Sequence, residues 1–163
     1  MGKTLSKVKR AYIAGFLDAD GAIMAVIERH EEKRFKFRVR VTLKISQKDR
    51  RVLVWFRSQT KAGRIRKNRG VFDWRVRDQR QVLKILRQIV PFLKSKRKQA
   101  MMALQIIERR IELFSDLLET ARVADKLASL NVRSKGRRRN FASMIKKAFP
   151  VTTDSGLCKA KTG

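Results

Sequence analysis

The chain has 163 residues, 42 of them Lys or Arg against 14 Asp or Glu, for a formal charge of +28. That length suits one domain burying roughly 70% of its unfolded surface, and an apolar share of 43% excludes a wholly disordered basic tail. No apolar run reaches the roughly 20 residues that span a bilayer, no apolar signal segment follows basic Met1 to Arg10, and the single cysteine, Cys158, points to a reducing, intracellular setting.

In chain order, Val8, Tyr12 and Phe16 recur at helical spacing and predict a helix from Lys7 to Leu17. It runs into Ala14 to Gly21, AGFLDADG, with two acids at its C-terminal end. Strict alternation then predicts half-buried antiparallel strands. In Ala22 to His30, Ile23, Ala25 and Ile27 face one way, and Met24, Val26, Glu28 and His30 the other. In Phe35 to Ser46, Phe35, Phe37, Val39, Val41, Leu43 and Ile45 oppose Lys36, Arg38, Arg40, Thr42, Lys44 and Ser46. The polar stretch Glu31 to Arg34 joins the two strands.

Ser46 and Asp49 form a capping signal before a helix carrying Val52, Leu53 and Phe56, which ends by Gly63. A second hairpin brackets Gly70, with Ile65, Trp74 and Val76 inward and Arg64, Arg66, Asp73, Arg75 and Arg77 outward. A helix is expected from Gln79 to Val90, stopped at Pro91. Another is expected from Lys96 to Phe114 on Leu104, Ile107, Ile111 and Phe114. Ser115 or Asp116 would cap a further helix ending near Asn131. After the basic run Arg133 to Arg139, Asn140 would cap a last helix that Pro150 stops. The expected class is α+β: one domain over 1–149, its core at about 7–114 and added helices at about 115–149. The tail 150–163 is expected to be disordered, and Cys158 within it is given no role.

A compact cation of this charge takes nucleic acid as its default partner. Arg38, Arg40 and Lys44 would share one sheet surface with Arg64, Arg66, Arg75 and Arg77, with few acids to balance them. Arginine's planar fork matches both phosphate and the guanine edge, and a β-ribbon fits the major groove. Asp18 and Asp20 are the oddest local feature. Acids at a helix C-terminus face the negative end of its dipole, at a cost of up to about 1 kcal/mol each. A hard divalent cation would reverse that cost, because carboxylate and carbonyl oxygens are its preferred ligands. The structural alternative is an Asx-type turn with Gly21 left-handed. Ala11, Ala14, Gly15 and Ala19 are small residues at near-helical spacing, so two copies of this helix could approach closely and bring their acids together.

Ile13 to Gly21, IAGFLDADG, closely resembles the motif that names the LAGLIDADG homing endonucleases. The likeness continues through Ser46-Gln47-Lys48, Arg69-Gly70 and PFLKSKRKQA at Pro91 to Ala100, and weakens after about Ile111. The resemblance is to the single-motif branch and implies an αββαββα fold whose sheet forms a DNA-binding saddle. It implies a homodimer on a long, near-palindromic duplex site, with Ala11, Ala14, Gly15 and Asp18 at the interface. The reaction implied is hydrolysis of both strands to leave 3′ overhangs, with Mg²⁺ as cofactor and Ca²⁺ supporting binding without cleavage.

Residue by residue, Asp20 matches the metal-ligating carboxylate, and Ala19 the position lending a main-chain carbonyl. Gln47 matches a residue that orients the attacking water, and Arg51 and Lys96 resemble the cations near the scissile phosphate. Met24, Val26, Glu28, His30, Arg38, Arg40, Thr42, Lys44, Arg66, Asn68, Arg75 and Arg77 fall at expected DNA-reading positions.

The resemblance also implies an alternative, an RNA maturase assisting intron splicing, which the run Arg133 to Arg139 keeps open. A catalytically inactive DNA binder is the other alternative, against which Asp20, Gln47 and Lys96 are all retained. A structural ribosome-binding protein would not need the acidic turn. Met1-Gly2 with Ser6 matches an N-myristoylation pattern, but the following helix and DNA binding account for the basic N-terminus better. Prokaryotic cytoplasm or an organelle would both suit.

Overall fold

Ser6 accepts a hydrogen bond from the Lys9 N–H at 3.4 Å and caps α1 (Lys7–Asp20). The computed structural model describes residues 4–131 and 140–149. After α1 come β1 (Gly21–Arg29), β2 (Phe37–Gln47), α2 (Arg50–Thr60), β3 (Arg64–Asn68), β4 (Val71–Val76) and α3 (Gln79–Ile89). A 3-10 turn (Val90–Phe92) leads to α4 (Arg97–Glu108), α5 (Phe114–Asn131) and α6 (Phe141–Ala148). The fold is α+β, with one four-stranded antiparallel sheet in the order β1-β2-β4-β3. The basic run Arg133 to Arg139 and the tail from Pro150 lie outside the described residues.

Alternation sends Ile23, Ala25, Val41, Leu43, Ile45, Trp74 and Val76 into the core, and all the helices but α6 pack close to the sheet. The buried cluster does not stop near residue 114. It continues through Leu117, Ala121, Ala124 and Leu127 of α5 to Phe141 and Ile145 of α6, so the C-terminal helices share the same core. Asn131 Nδ2 donates to the Ile23 carbonyl at 2.6 Å, covering an outer-edge acceptor of β1.

Trp74 is the largest fully buried side chain. Its indole N–H donates to the Ala62 carbonyl at 3.0 Å and its ring lies on Phe56. Gly63, at φ +80°, runs so close that a Cβ there would lie 2.6 Å from the indole nitrogen. Arg69 and Gly70 both have positive φ, the two-residue turn that suits the twist of a hairpin.

Several expectations are corrected. Of the spaced residues Val8, Tyr12 and Phe16 that predict α1, only Phe16 packs against the core; Ile13, Ala14 and Leu17 are the buried face, while Val8 is 78% and Tyr12 46% exposed. Phe35 and Lys36 fall outside β2, because the hairpin closes at His30 N–H to Lys36 O and Lys36 turns left-handed; Phe35 stacks edge-on against Phe114 instead. Ser46 caps nothing and stays in β2, and Asp49 alone caps α2 by accepting from the Arg51 N–H at 2.8 Å. The single helix from Lys96 to Phe114 is broken after Glu108. Asp116 reaches back to accept the N–H groups of Leu113 at 2.7 Å and Glu112 at 3.1 Å, fixing a connection where the apolar spacing alone would continue a helix. Gly21 is extended rather than left-handed; its smallness is steric, since a Cβ would lie 2.4 Å from Leu17 Cδ1.

Candidate active site and nucleic-acid interface

The two acids at the end of α1 have separate environments. Asp18 is turned back onto the segment before α4. Its carboxylate accepts the N–H groups of Lys94 at 2.6 Å, Lys96 at 2.9 Å and Ser95 at 3.3 Å. Burial would raise its pKa, but these backbone bonds and the Ser95 hydroxyl outweigh burial and hold the carboxyl below its ordinary value. The Lys96 ammonium donates to the Asp18 carbonyl, a cation on the negative end of the helix. This anchor pins PFLKSK to the acidic turn.

Asp20 is exposed, and its carboxylate Oδ2 accepts from Gln47 Nε2 at 2.6 Å. The pair forms because β1 leaves α1 directly and lies antiparallel to β2, with Gly21 opposite Ile45, so the end of β2 returns to the end of α1. Ala19 is exposed beside it. Arg51 is not drawn into this pair: its guanidinium lies on Asp49 at 2.9 Å with its side chain 92% exposed. Of the small residues expected at an interface, Ala14 is wholly buried in its own core and presents no surface to a partner, whereas Ala11 and Gly15 are exposed. Next to them Val8 and Tyr12, with Val52 and Trp55 of α2, line an apolar recess of about 490 Å³.

The sheet face away from the core carries the residues expected to read DNA, and the register sets their rows. Met24 lies opposite Thr42, Val26 opposite Arg40, and Glu28 opposite Arg38. Lys44, Arg75 and Arg64 form one row across three strands, and Ser46, Asp73 and Arg66 the next. Asn68 ends β3, Arg77 lies just past β4, and His30 closes the first hairpin. Thr42 is nearly covered, at 9% exposure.

The face is not unbalanced cation. Glu28 takes Arg38 at 3.0 Å and Arg40 at 3.3 Å on one oxygen, and Arg77 at 2.9 Å on the other. Asp73 takes Ser46 at 2.6 Å on one oxygen; on the other it takes Arg75 at 2.8 Å, Asn68 at 3.0 Å and Lys44 at 3.3 Å. Burial would raise the Asp73 pKa, but Ser46, Arg75, Asn68 and Lys44 together hold it well below the usual carboxylate range. Sequence reasoning placed Asp73 on this face and gave it no role, although it is the only acid between Asp49 and Asp78. An open cleft of about 870 Å³ runs along the face, and Arg57 and Lys61 join the expected cations, Arg64 among them, in lining it.

An exposed acidic helix end beside a basic sheet face is chemistry suited to a nucleic-acid-processing protein. The family profile described as LAGLIDADG endonuclease matches residues 13–107. The chain is 34% identical over 127 residues to the DNA endonuclease I-CreI of Chlamydomonas reinhardtii, covering 74% of this chain and 77% of that one. It is 36% identical over 129 residues to the DNA endonuclease I-CvuI of Chlorella vulgaris, covering 76% and 80%. The fold matches a crystal structure of the homing endonuclease I-CvuI in complex with the I-CreI target, in 2 mM Mg and with the DNA not cleaved. That match has a TM-score of 0.76 at 32% identity, covering 87% of this chain and 94% of that chain. A second I-CvuI structure, with its own target and 2 mM Ca, matches with a TM-score of 0.75 at 33% identity, covering 86% and 91%. This chain belongs to the LAGLIDADG endonuclease family.

Proposed function

We propose that the protein is a homing endonuclease that binds a long, near-palindromic duplex site as a homodimer and hydrolyses both strands, leaving 3′ overhangs. The observation that carries this reading is the exposed Asp20 carboxylate, oriented by Gln47, at the edge of a cation-lined sheet.

The oxygen donors at the helix end suit a hard divalent cation. Among the described residues one chain gathers no group of three His, Cys, Asp or Glu that could hold an ion. A second copy supplying its own Asp20 is therefore part of the reading. Asp20 of each copy, with the Ala19 carbonyl, would hold Mg²⁺. The bound ion supplies a water of lowered pKa and screens charge on the leaving oxygen.

Gln47 keeps the Asp20 carboxylate in one orientation, and its own amide carbonyl is available to accept from the attacking water. Lys96 is held at the helix end by the three N–H bonds to Asp18, so its ammonium stands ready for the scissile phosphate. There it would stabilise the charge of the pentacovalent transition state. Arg51 would join it by releasing Asp49. The exposed Ala11 and Gly15, and the recess at Val8 and Tyr12, support two copies meeting along α1.

The test is cleavage of a randomised duplex library in Mg²⁺ and in Ca²⁺, by the wild type and Asp20→Asn. Cutting is expected in Mg²⁺ at one long near-palindromic site, with binding alone in Ca²⁺. D20N is expected to bind and not cut. Appreciable cutting by D20N would remove the metal-ligand assignment. Tight binding with no cutting in either metal would move the reading to an inactive binder or an RNA maturase.

A further inference from the structure

Glu28 occupies a position where a side chain would be expected to read a base, yet both its oxygens are taken. Oε2 accepts from Arg38 Nε at 3.1 Å and is ion-paired to Arg38 and Arg40; Oε1 accepts from Arg77 at 2.9 Å. A cytosine amine would have to share an oxygen that already accepts from an arginine. We propose that Glu28 is a positioning residue that joins Arg38, Arg40 and Arg77 into one guanine-reading unit, rather than a reader of its own base pair. The proposal rests on the reading of this face as a duplex-binding surface.

The three arginines come from two strand ends that would otherwise be independent. Arg38 and Arg40 stand on β2, and Arg77 lies just past β4, where pairing with β2 has ended at Leu43 opposite Val76. Gln79 holds that end in place: its amide accepts from the Val41 N–H at 3.0 Å and donates to the Val41 carbonyl at 2.8 Å, substituting for the missing ladder. Arg77 is thereby brought against Glu28 of β1. Each guanidinium has five N–H groups and gives only part of its fork to the carboxylate. The remainder is held in a fixed direction, as bidentate pairing with guanine O6 and N7 requires.

This cluster is separate from the one around Asp73. Arg40 and Ser46 are six residues apart on β2, roughly 20 Å at about 3.3 Å per residue, or about six base pairs. The Asp73 cluster lies toward the Gln47 end of β2, beside Asp20, and the Glu28 cluster lies at the far end.

The experiment is selection of bound sites from a randomised duplex pool in Ca²⁺, using the full chain and Glu28→Gln, with thermal melting as the check on folding. Wild type is expected to prefer guanine at neighbouring positions of the outer half-site. E28Q should lose about five- to tenfold of that preference at all of them together, while positions nearer the centre are unchanged. With one negative charge removed, E28Q should bind unrelated duplex more tightly, with a salt slope steeper by about one. A double-mutant cycle of R38Q and R77Q in the wild-type background gives a second readout, and coupling of threefold or more is expected. Loss of preference at one position only, an unchanged profile, or independent R38Q and R77Q effects would overturn the role of Glu28. A wild-type chain that selects no sequence at all would instead overturn the duplex-binding reading beneath it.

Discussion

Asp73 keeps 1% of its surface exposed while four side chains from three strands converge on it. Burying a carboxylate is costly unless it is paired and hydrogen-bonded, and here the pairing is complete enough to depress the pKa. Asp73→Asn keeps the shape and leaves Lys44 and Arg75 facing a neutral acceptor in place of a carboxylate. A loss of about 1–3 kcal/mol of stability is expected in urea unfolding. The sign with pH follows from a folded-state pKa below the ordinary 3.8. The contribution is fully present above about pH 4 and is lost as pH falls through the lower folded value. Between pH 5 and pH 2, wild type should therefore lose melting temperature more steeply than D73N; equal slopes would show that folding leaves the titration of the Asp73 carboxyl unchanged. Alternation puts Asp73 on the polar face, which the sequence makes legible. Its burial arises only when Lys44, Asn68 and Arg75 fold over it, and no local pattern encodes that.

At the scale of elements, α1 has two apolar faces, and local pattern confuses them. Ile13, Ala14 and Leu17 meet the sheet, whereas Val8 and Tyr12 look outward beside Trp55, whose ring lies 5.1 Å from Tyr12. Both stripes have helical spacing, so periodicity locates the helix and leaves its orientation open. β2 was legible because period two over β-branched and aromatic residues has one solution. The anchor of Asp18 on Lys94–Lys96 was not, since it joins residues at least 76 apart. The break before α5 was hidden for a related reason: Ile111 continues the stripe, and the carboxylate of Asp116 ends it from beyond. The outward face of α1 is where the proposed partner copy would sit, and Val8→Glu tests it. Position 8 is in the first turn of α1, which has no acid, so a glutamate there favours the helix dipole and leaves the fold intact. In a two-fold interface the same substitution brings two charges into an apolar contact. Sedimentation equilibrium should show monomer for V8E and dimer for wild type, with double-strand cutting lost in V8E. A V8E chain that remains dimeric would place the interface elsewhere.

The whole molecule combines a charge of +28 with a face on which Glu28 and Asp73 hold back part of the positive field. On the proposed reading, cations tied to these carboxylates would meet base edges at fixed positions, while Arg57, Lys61 and Arg64, exposed beside the cleft, would meet phosphates. Phosphate contacts position the duplex and carry no sequence information, whereas base contacts specify it. The two kinds of contact should separate by salt. Neutralising about 6–10 phosphates costs roughly 10³–10⁵ in affinity between 50 and 200 mM salt. Unrelated duplex should weaken across that range at least as steeply as the selected site, so the specificity ratio should hold or rise with salt while both affinities fall. Fluorescence anisotropy in Ca²⁺ at four salt concentrations measures both slopes. A shallow slope for unrelated DNA would mean that the excess charge serves some purpose other than holding the backbone. A specificity ratio that collapses with salt would mean that the arginines around Glu28 and Asp73 bind phosphate rather than bases.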